Sequence, residues 1–227
     1  KLLHFKLDLK MMKRILAIGI PSSLENSFFQ LGRVLLVSMI SGFGTAQIAA
    51  NAVANNLDNF GILPGQAMGL ALITVIGQCV GAGDYDQVRY YLKKLMKITY
   101  VIMWVLNIVL FAALPLILKA YNLSDEAYNY TVILICIHNG CALFLWPASF
   151  TMPNALRAAN DVRFPMVISV FSMCFFRIGF SFILGIHMGL GVIGVWIAMV
   201  MDWIFRVICF TLRTRHVLWK NDGLPAK

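Results

Sequence analysis

The sequence predicts an all-α integral membrane protein, a bundle of six transmembrane helices. Three observations carry this. Of 227 residues, 60% are hydrophobic and only 13% charged, whereas a soluble domain carries roughly a quarter charged residues. Apolar runs long enough to span a bilayer, about 20 residues each, recur six times. The Lys and Arg residues cluster between those runs and nearly all on one side, as expected at one membrane face.

The first span covers about 15–40 and contains Pro21. The second, about 48–80, is too long for one straight crossing. Pro64 and Gly65 sit near its middle, with Gly69 and Gly77 beyond, so a kink or tilt is expected there. The third covers 98–118. The fourth covers 127–150 and follows Ser124-Asp125, a helix-start pair. The fifth covers 164–184 and the sixth 192–212, leaving 213–227 as a tail. The intervening segments SGFGTAQ, GAGDYDQVRYYLKK, KAYNLSDE, MPNALRAANDVRFP and GIHMGLG read as connections.

The net charge of +9 can indicate nucleic-acid binding, but its distribution argues otherwise. With the N-terminus on the cytoplasmic side, that face collects the opening cluster through Arg14, the Arg89–Lys97 group, Arg157, Arg163, Arg213, Arg215, Lys220 and Lys227. The opposite face has only Lys119. Both termini are therefore expected to be cytoplasmic, with the chain multi-pass in the cell inner (plasma) membrane. The opening KLLHFKLDLKMMKR is amphipathic and basic without a small-residue cleavage site, and the chain reads as cut from a longer one. Cys79, Cys136, Cys141, Cys174 and Cys209 lie in or beside apolar runs without a CxxC pair. They are expected to be buried packing residues rather than disulfides or zinc ligands.

An ionisable group at bilayer depth costs roughly 3 kcal/mol or more, so it marks an interior face or a wet cavity. Glu25, Arg33, Asp58, Arg177, Asp202 and Arg206 all fall inside spans. Glu25 lies one turn past Pro21 and near the midplane, where a carboxyl can hold H⁺ or Na⁺, or else be locked to an internal cation such as Arg33. Asn51, Asn55 and Asp58, spaced four and three apart, share one helix face widened by Asn56 and Asn59. They predict either a water-filled cavity or a hydrogen-bonded seam. His138 and Asn139 add polarity in the fourth span. Asp202 and Arg206, one turn apart, are expected to form a structural ion pair, while Arg177 has no local partner. No nucleotide, nucleophile or metal-ligand pattern appears: GQCVGAGDYDQ lacks the P-loop Lys-Ser/Thr and HNGC lacks ligand spacing. The chain is not expected to be an enzyme, nor to carry a cofactor.

Four segments together resemble the second half of multidrug and toxic compound extrusion (MATE) transporters: IGIPSSLENSFFQLGR; IAANAVANNLDNFGILPGQAMGLALITVIGQCVGAGDYDQVR; LRAANDVRFPM, departing at Ala158, Ala159 and Val162; and GVIGVWIAMVMDWIFR. The resemblance implies one six-helix lobe of a twelve-helix, two-lobe antiporter that exports cationic, amphiphilic drugs in exchange for H⁺ or Na⁺. Its partners would be the bilayer, a small cationic substrate and the other lobe. Glu25 matches an acid implicated in cation coupling in one subgroup, but that subgroup's second acid, in the fourth helix, is absent from HNGCALFLWPASF. The cation-coupling and substrate residues are then Glu25, Asp58, Asn51, Asn55, Arg33, His138 and Asn139. The alternatives are a lipid-linked oligosaccharide flippase of the same superfamily, which would need a more cationic cavity, and a non-transporting membrane scaffold subunit.

Overall fold

The computed structural model describes residues 9–219. Among these the secondary structure is helical throughout, in the order α1 (Leu9–Ile40), α2 (Thr45–Gly81), α3 (Tyr85–Ala120), α4 (Asp125–Trp146), α5 (Pro153–Ala158), α6 (Arg163–Ser172) and α7 (Gly191–Trp219). A π-helical stretch, Pro147–Thr151, joins α4 to α5, so 125–158 is one run. Two more, Met173–Gly179 and Phe182–His187, carry α6 onward to His187. Five of the runs are long and apolar enough to cross a membrane. α1 is 32 residues long, but its middle, SSLENSFFQLGR, dilutes its hydropathy with seven polar or charged side chains.

The helices outrun the predicted spans because amphipathic turns continue them past the apolar core. α3 begins at Tyr85, capped by Asp84, whose carboxylate accepts from the Gln87 N–H at 3.0 Å; the segment read as a long connection is mostly helix. The expected Ser124 cap is present, accepting from the Ala127 N–H. The predicted tail is helical as far as Trp219, and Arg213 within it bonds Asp161 at 2.7 Å. The opening residues 1–8 and the tail residues 220–227 lie outside the described residues. The cysteines are all free, as expected, but only Cys79 is buried, and Cys136 and Cys174 are exposed.

α2 is the spine, packing on α3, α4 and α5, while α7 packs on α4 and the two π-helical stretches of the fifth run. Pro64 does not interrupt α2. Around it, Gly61, Gly65 and Gly69 form a small-residue stripe that admits neighbours closely. Asn107 lies against Gly61, Trp146 and Met103 against Gly65, and Asn154 against Gly69. Asn107 Nδ2 donates to the Gly61 carbonyl at 3.2 Å and Thr151 Oγ1 to that of Gly65 at 3.0 Å. α1 packs instead on α6 and its π-helical continuation, leaving a gap between α1 and α2.

A side chain at Gly65 has to displace the Trp146 ring or the Met103 sulfur, and overpacking of this kind costs about 1–3 kcal/mol. Gly65→Leu is therefore expected to lower the melting temperature of the detergent-purified protein by several degrees. Gly77→Ala, where an added Cβ meets nothing within 4 Å, is expected to leave it unchanged or raise it slightly. Equal melting temperatures for the two variants would contradict the packing assigned to the stripe.

Candidate functional site

The gap between α1 and α2 is a cavity of about 480 Å³. α1 contributes Phe29 and Arg33, α2 contributes Asn51, Asn55, Asp58, Asn59 and Gln66, and α4 contributes His138 and Trp146. Phe150 and Arg177 line it from two π-helical stretches, and Trp196, Met199 and Trp203 from α7.

The polar stripe of α2 forms one wall, as its spacing predicts. Asn51 Oδ1 accepts from Trp196 Nε1 at 3.0 Å and from Asn55 Nδ2 at 3.1 Å. Asp58 lies deeper and is buried. Its Oδ1 is 3.1 Å from His138 Nδ1, which also lies 2.8 Å from Asn139 Oδ1. Of the two contacts only that to Asn139 is a hydrogen bond; the Asp58 oxygen at 3.1 Å is a close ionic contact without hydrogen-bond geometry. The imidazole is held edge-on between two indoles, with ring centroids 5.5 Å from Trp196 and 4.8 Å from Trp203. Asn139 itself is wholly buried behind His138 and does not line the cavity.

Two arginines face the same space. Arg177 Nη1 is 3.8 Å from Asp202 Oδ2, and Nη2 donates to Met199 Sδ at 3.0 Å. Arg33 lines the cavity from the exposed side of α1, and among the described residues no carboxylate pairs with it.

Two expectations are corrected. Glu25 does not line the cavity. Both of its oxygens accept from Arg157 Nη2 at 2.7 Å, and Asn154 holds Nη1 of the same guanidinium at 2.6 Å. Of the two states open to Glu25 in the sequence, it occupies the locked one, with Arg157 rather than Arg33 as the cation. The extension of the fourth run to Ala158 is what carries Arg157 inward from its predicted place in a connection. Asp202 and Arg206 do not form an ion pair either. The Asp202 carboxylate turns toward Ser172, which donates to it, and toward Arg177. Arg206 turns the other way, onto the Ser149 carbonyl at 3.4 Å and over the Phe150 ring at 4.4 Å. The i, i+4 spacing permitted a pair, but better partners stood on neighbouring helices.

Read in sequence, the tryptophans are core or lipid contacts by default, some able to stack on an aromatic cation; the structure places Trp146, Trp196 and Trp203 on the cavity. The signal for the α7 side is Trp196, Met199 and Trp203 at i, i+3 and i+7, one face of the helix.

A family model described as MatE matches residues 21–183. This chain belongs to the MatE family. It is 26% identical over 229 residues to the uncharacterized transporter YisQ of Bacillus subtilis, covering 97% of this chain and 48% of that one. It is 24% identical over 194 residues to the probable multidrug resistance protein YoeA of the same organism, covering 86% and 42%. The fold is similar to a crystal structure of MATE in the bent conformation, with TM-score 0.84 and 20% identity over 97% of this chain and 49% of that one. The chain thus spans about half the length of the relatives it matches. Together they identify a multi-pass membrane protein related to multidrug efflux transporters.

The Glu25–Arg157 pair ties α1 to the fourth run. Removing one partner of a largely buried pair leaves the other charge uncompensated, and contacting charges couple by about 0.5–3 kcal/mol. A double-mutant cycle with Glu25→Ala and Arg157→Ala, read by thermal unfolding in detergent, is expected to give a coupling of about 2 kcal/mol. Additive effects would mean that the pair does not tie α1 down.

Proposed function

We propose that the chain is one six-helix lobe of an antiporter that exports cationic, amphiphilic compounds from the cell in exchange for H⁺ or Na⁺. The other lobe of the transporter is its partner, and its basic face and both termini lie on the cytoplasmic side of the inner (plasma) membrane. The observation that carries this reading is the cavity. It falls within the roughly 300–1,000 Å³ range of small-molecule sites. Its wall sets one carboxylate, Asp58, among the rings of Phe29, Trp146, Phe150, Trp196 and Trp203. Aromatic faces attract organic cations, and a carboxylate adds charge complementarity in a medium poor in water. MatE membership and relatives named as multidrug resistance proteins support the same reading.

A second reading, export of a lipid-linked anion, is favoured by one feature, the presence of Arg33 and Arg177 in the lining of the same cavity. The two readings differ in what Asp58 does. In the first, Asp58 is needed for export; in the second, it is dispensable or unfavourable.

The test is ethidium accumulation in cells lacking their own efflux pumps and expressing the intact transporter. Wild type is expected to lower accumulation severalfold, and Asp58→Asn, at matched membrane abundance, to restore most of it. If wild type exports no cationic compound across a broad panel under either ion gradient, the cation-export reading fails and the flippase reading takes its place.

A further inference from the structure

We propose that the lobe binds a small monovalent anion, chloride being the abundant one, in its interior, where the π-helical stretch Pro147–Thr151, α6 and α7 meet beside Arg206. The site is built by Arg206, Ser149 and Ser169. None of the three lines the cavity, and the proposal does not depend on what the cavity carries.

The local charges call for it. Arg206 is only 3% exposed, yet among the described residues no carboxylate pairs with it. The charges acting on it most strongly are those of Asp202, Glu25 and Arg157. Both acids are already answered: Glu25 binds Arg157 at 2.7 Å, and Asp202 faces Arg177. Asp58, a further buried acid, is engaged with His138. Two acids against three arginines leave one positive charge over. Arginine does not shed its proton to escape burial. A lone charge taken out of water is costly unless a counter-charge joins it. The rings of Phe150 and Phe210, 4.4 and 5.5 Å from the guanidinium, ease that cost but carry no charge themselves.

Three donors stand together there. Arg206 Nη2 donates to the Ser149 carbonyl at 3.4 Å, while its buried Nε has no partner among the described residues. Ser149 Oγ, on that same residue, is likewise buried and unpartnered. The third group is Ser169 Oγ of α6, again buried and unpartnered. Contacts between the fifth run and α7 pass from Gly185 against Gly194 to Ser172 against Asp202, so the two are antiparallel. One turn further along each helix, Ser169 comes level with Arg206. A hydroxyl can turn its hydrogen toward an anion, and donors that include a guanidinium bind one strongly. A single negative charge completes the balance. A phosphate group brings close to two charges and more oxygens than there are donors. A side chain of another protein does not reach Arg206, which is buried within this lobe.

The test uses the full-length transporter in detergent, exchanged into sodium gluconate and titrated with sodium chloride or sodium bromide at constant ionic strength. The melting temperature is expected to rise by several degrees with halide and then to saturate, as binding to the folded state requires. Ser169→Ala is expected to raise the halide concentration at half-effect severalfold. Arg206→Met is expected to abolish the response, because the charge that holds the ion is gone. Crystals grown in bromide are expected to show its anomalous signal beside Arg206, and this measurement on wild type stands even where Arg206→Met fails to fold. Equal melting temperatures in halide and gluconate overturn the site, water then serving the three groups, as does bromide that binds only away from Arg206. A halide response left unchanged by both Ser169→Ala and Arg206→Met overturns it as well, since the salt then acts elsewhere.

Discussion

The fold depends on how the prolines inside its membrane spans are accommodated. A proline removes one helical N–H and frees a carbonyl one turn back, and in lipid that carbonyl has to find a donor within the protein. The fourth run contains Pro147 and Pro153 and nevertheless stays helical through a π-helical stretch in which the Met152 N–H reaches back to the Pro147 carbonyl at 2.9 Å. Four residues before Pro147, the Leu143 carbonyl accepts from Trp104 Nε1 at 2.9 Å, and its neighbour Phe144 accepts from the Tyr100 hydroxyl at 3.0 Å. Four residues before Pro153, the Ser149 carbonyl accepts from Arg206. In α2, Asn107 reaches Gly61, just ahead of Pro64. The turns at Pro64, Pro147 and Pro153 are thus stitched to neighbouring helices, α3 on one side and α7 on the other.

The stitching decides what the internal charges are for. Arg206 is spent on the backbone and on the rings of Phe150 and Phe210, so it is a structural donor rather than a cargo group. Asp202 answers Ser172 and Arg177, and Glu25 answers Arg157. What remains facing the cavity is the Asn51–Asn55–Asp58 stripe with His138 and the two arginines. One wall, made of α2, α4 and α7, is cross-linked by hydrogen bonds at several depths. The other wall, α1, is joined to that block by the Glu25–Arg157 pair and by packing through α6.

The helices and the α2 stripe were legible in the sequence because both follow from periodicity along one element. Asn51, Asn55 and Asp58 share a face whatever packs against it. The partners were not legible where they lie far apart in sequence: Glu25 and Arg157 are separated by 132 residues, and Asn51 and Trp196 by 145. Asp202 and Arg206 show the opposite failure. Their spacing allowed a local pair, and only the neighbouring helices reveal that Ser172, Arg177 and the Ser149 carbonyl draw them apart. The length of the fourth run was hidden by its prolines, which read as boundaries unless another helix supplies donors for the carbonyls they free.

Arg33 supplies the last constraint. It sits within α1 on the exposed side, beside Leu31, Val34, Leu35 and Val37, all of them exposed large apolar side chains. An unpaired guanidinium at bilayer depth cannot face hydrocarbon without a cost of several kcal/mol. This stretch of α1 therefore meets something more polar than lipid on that side, either water within a cavity or another protein surface, while its apolar neighbours still need cover. The proposed second lobe, closing over the mouth of the cavity, would satisfy both demands, burying the apolar ridge and leaving Arg33 on a hydrated interior.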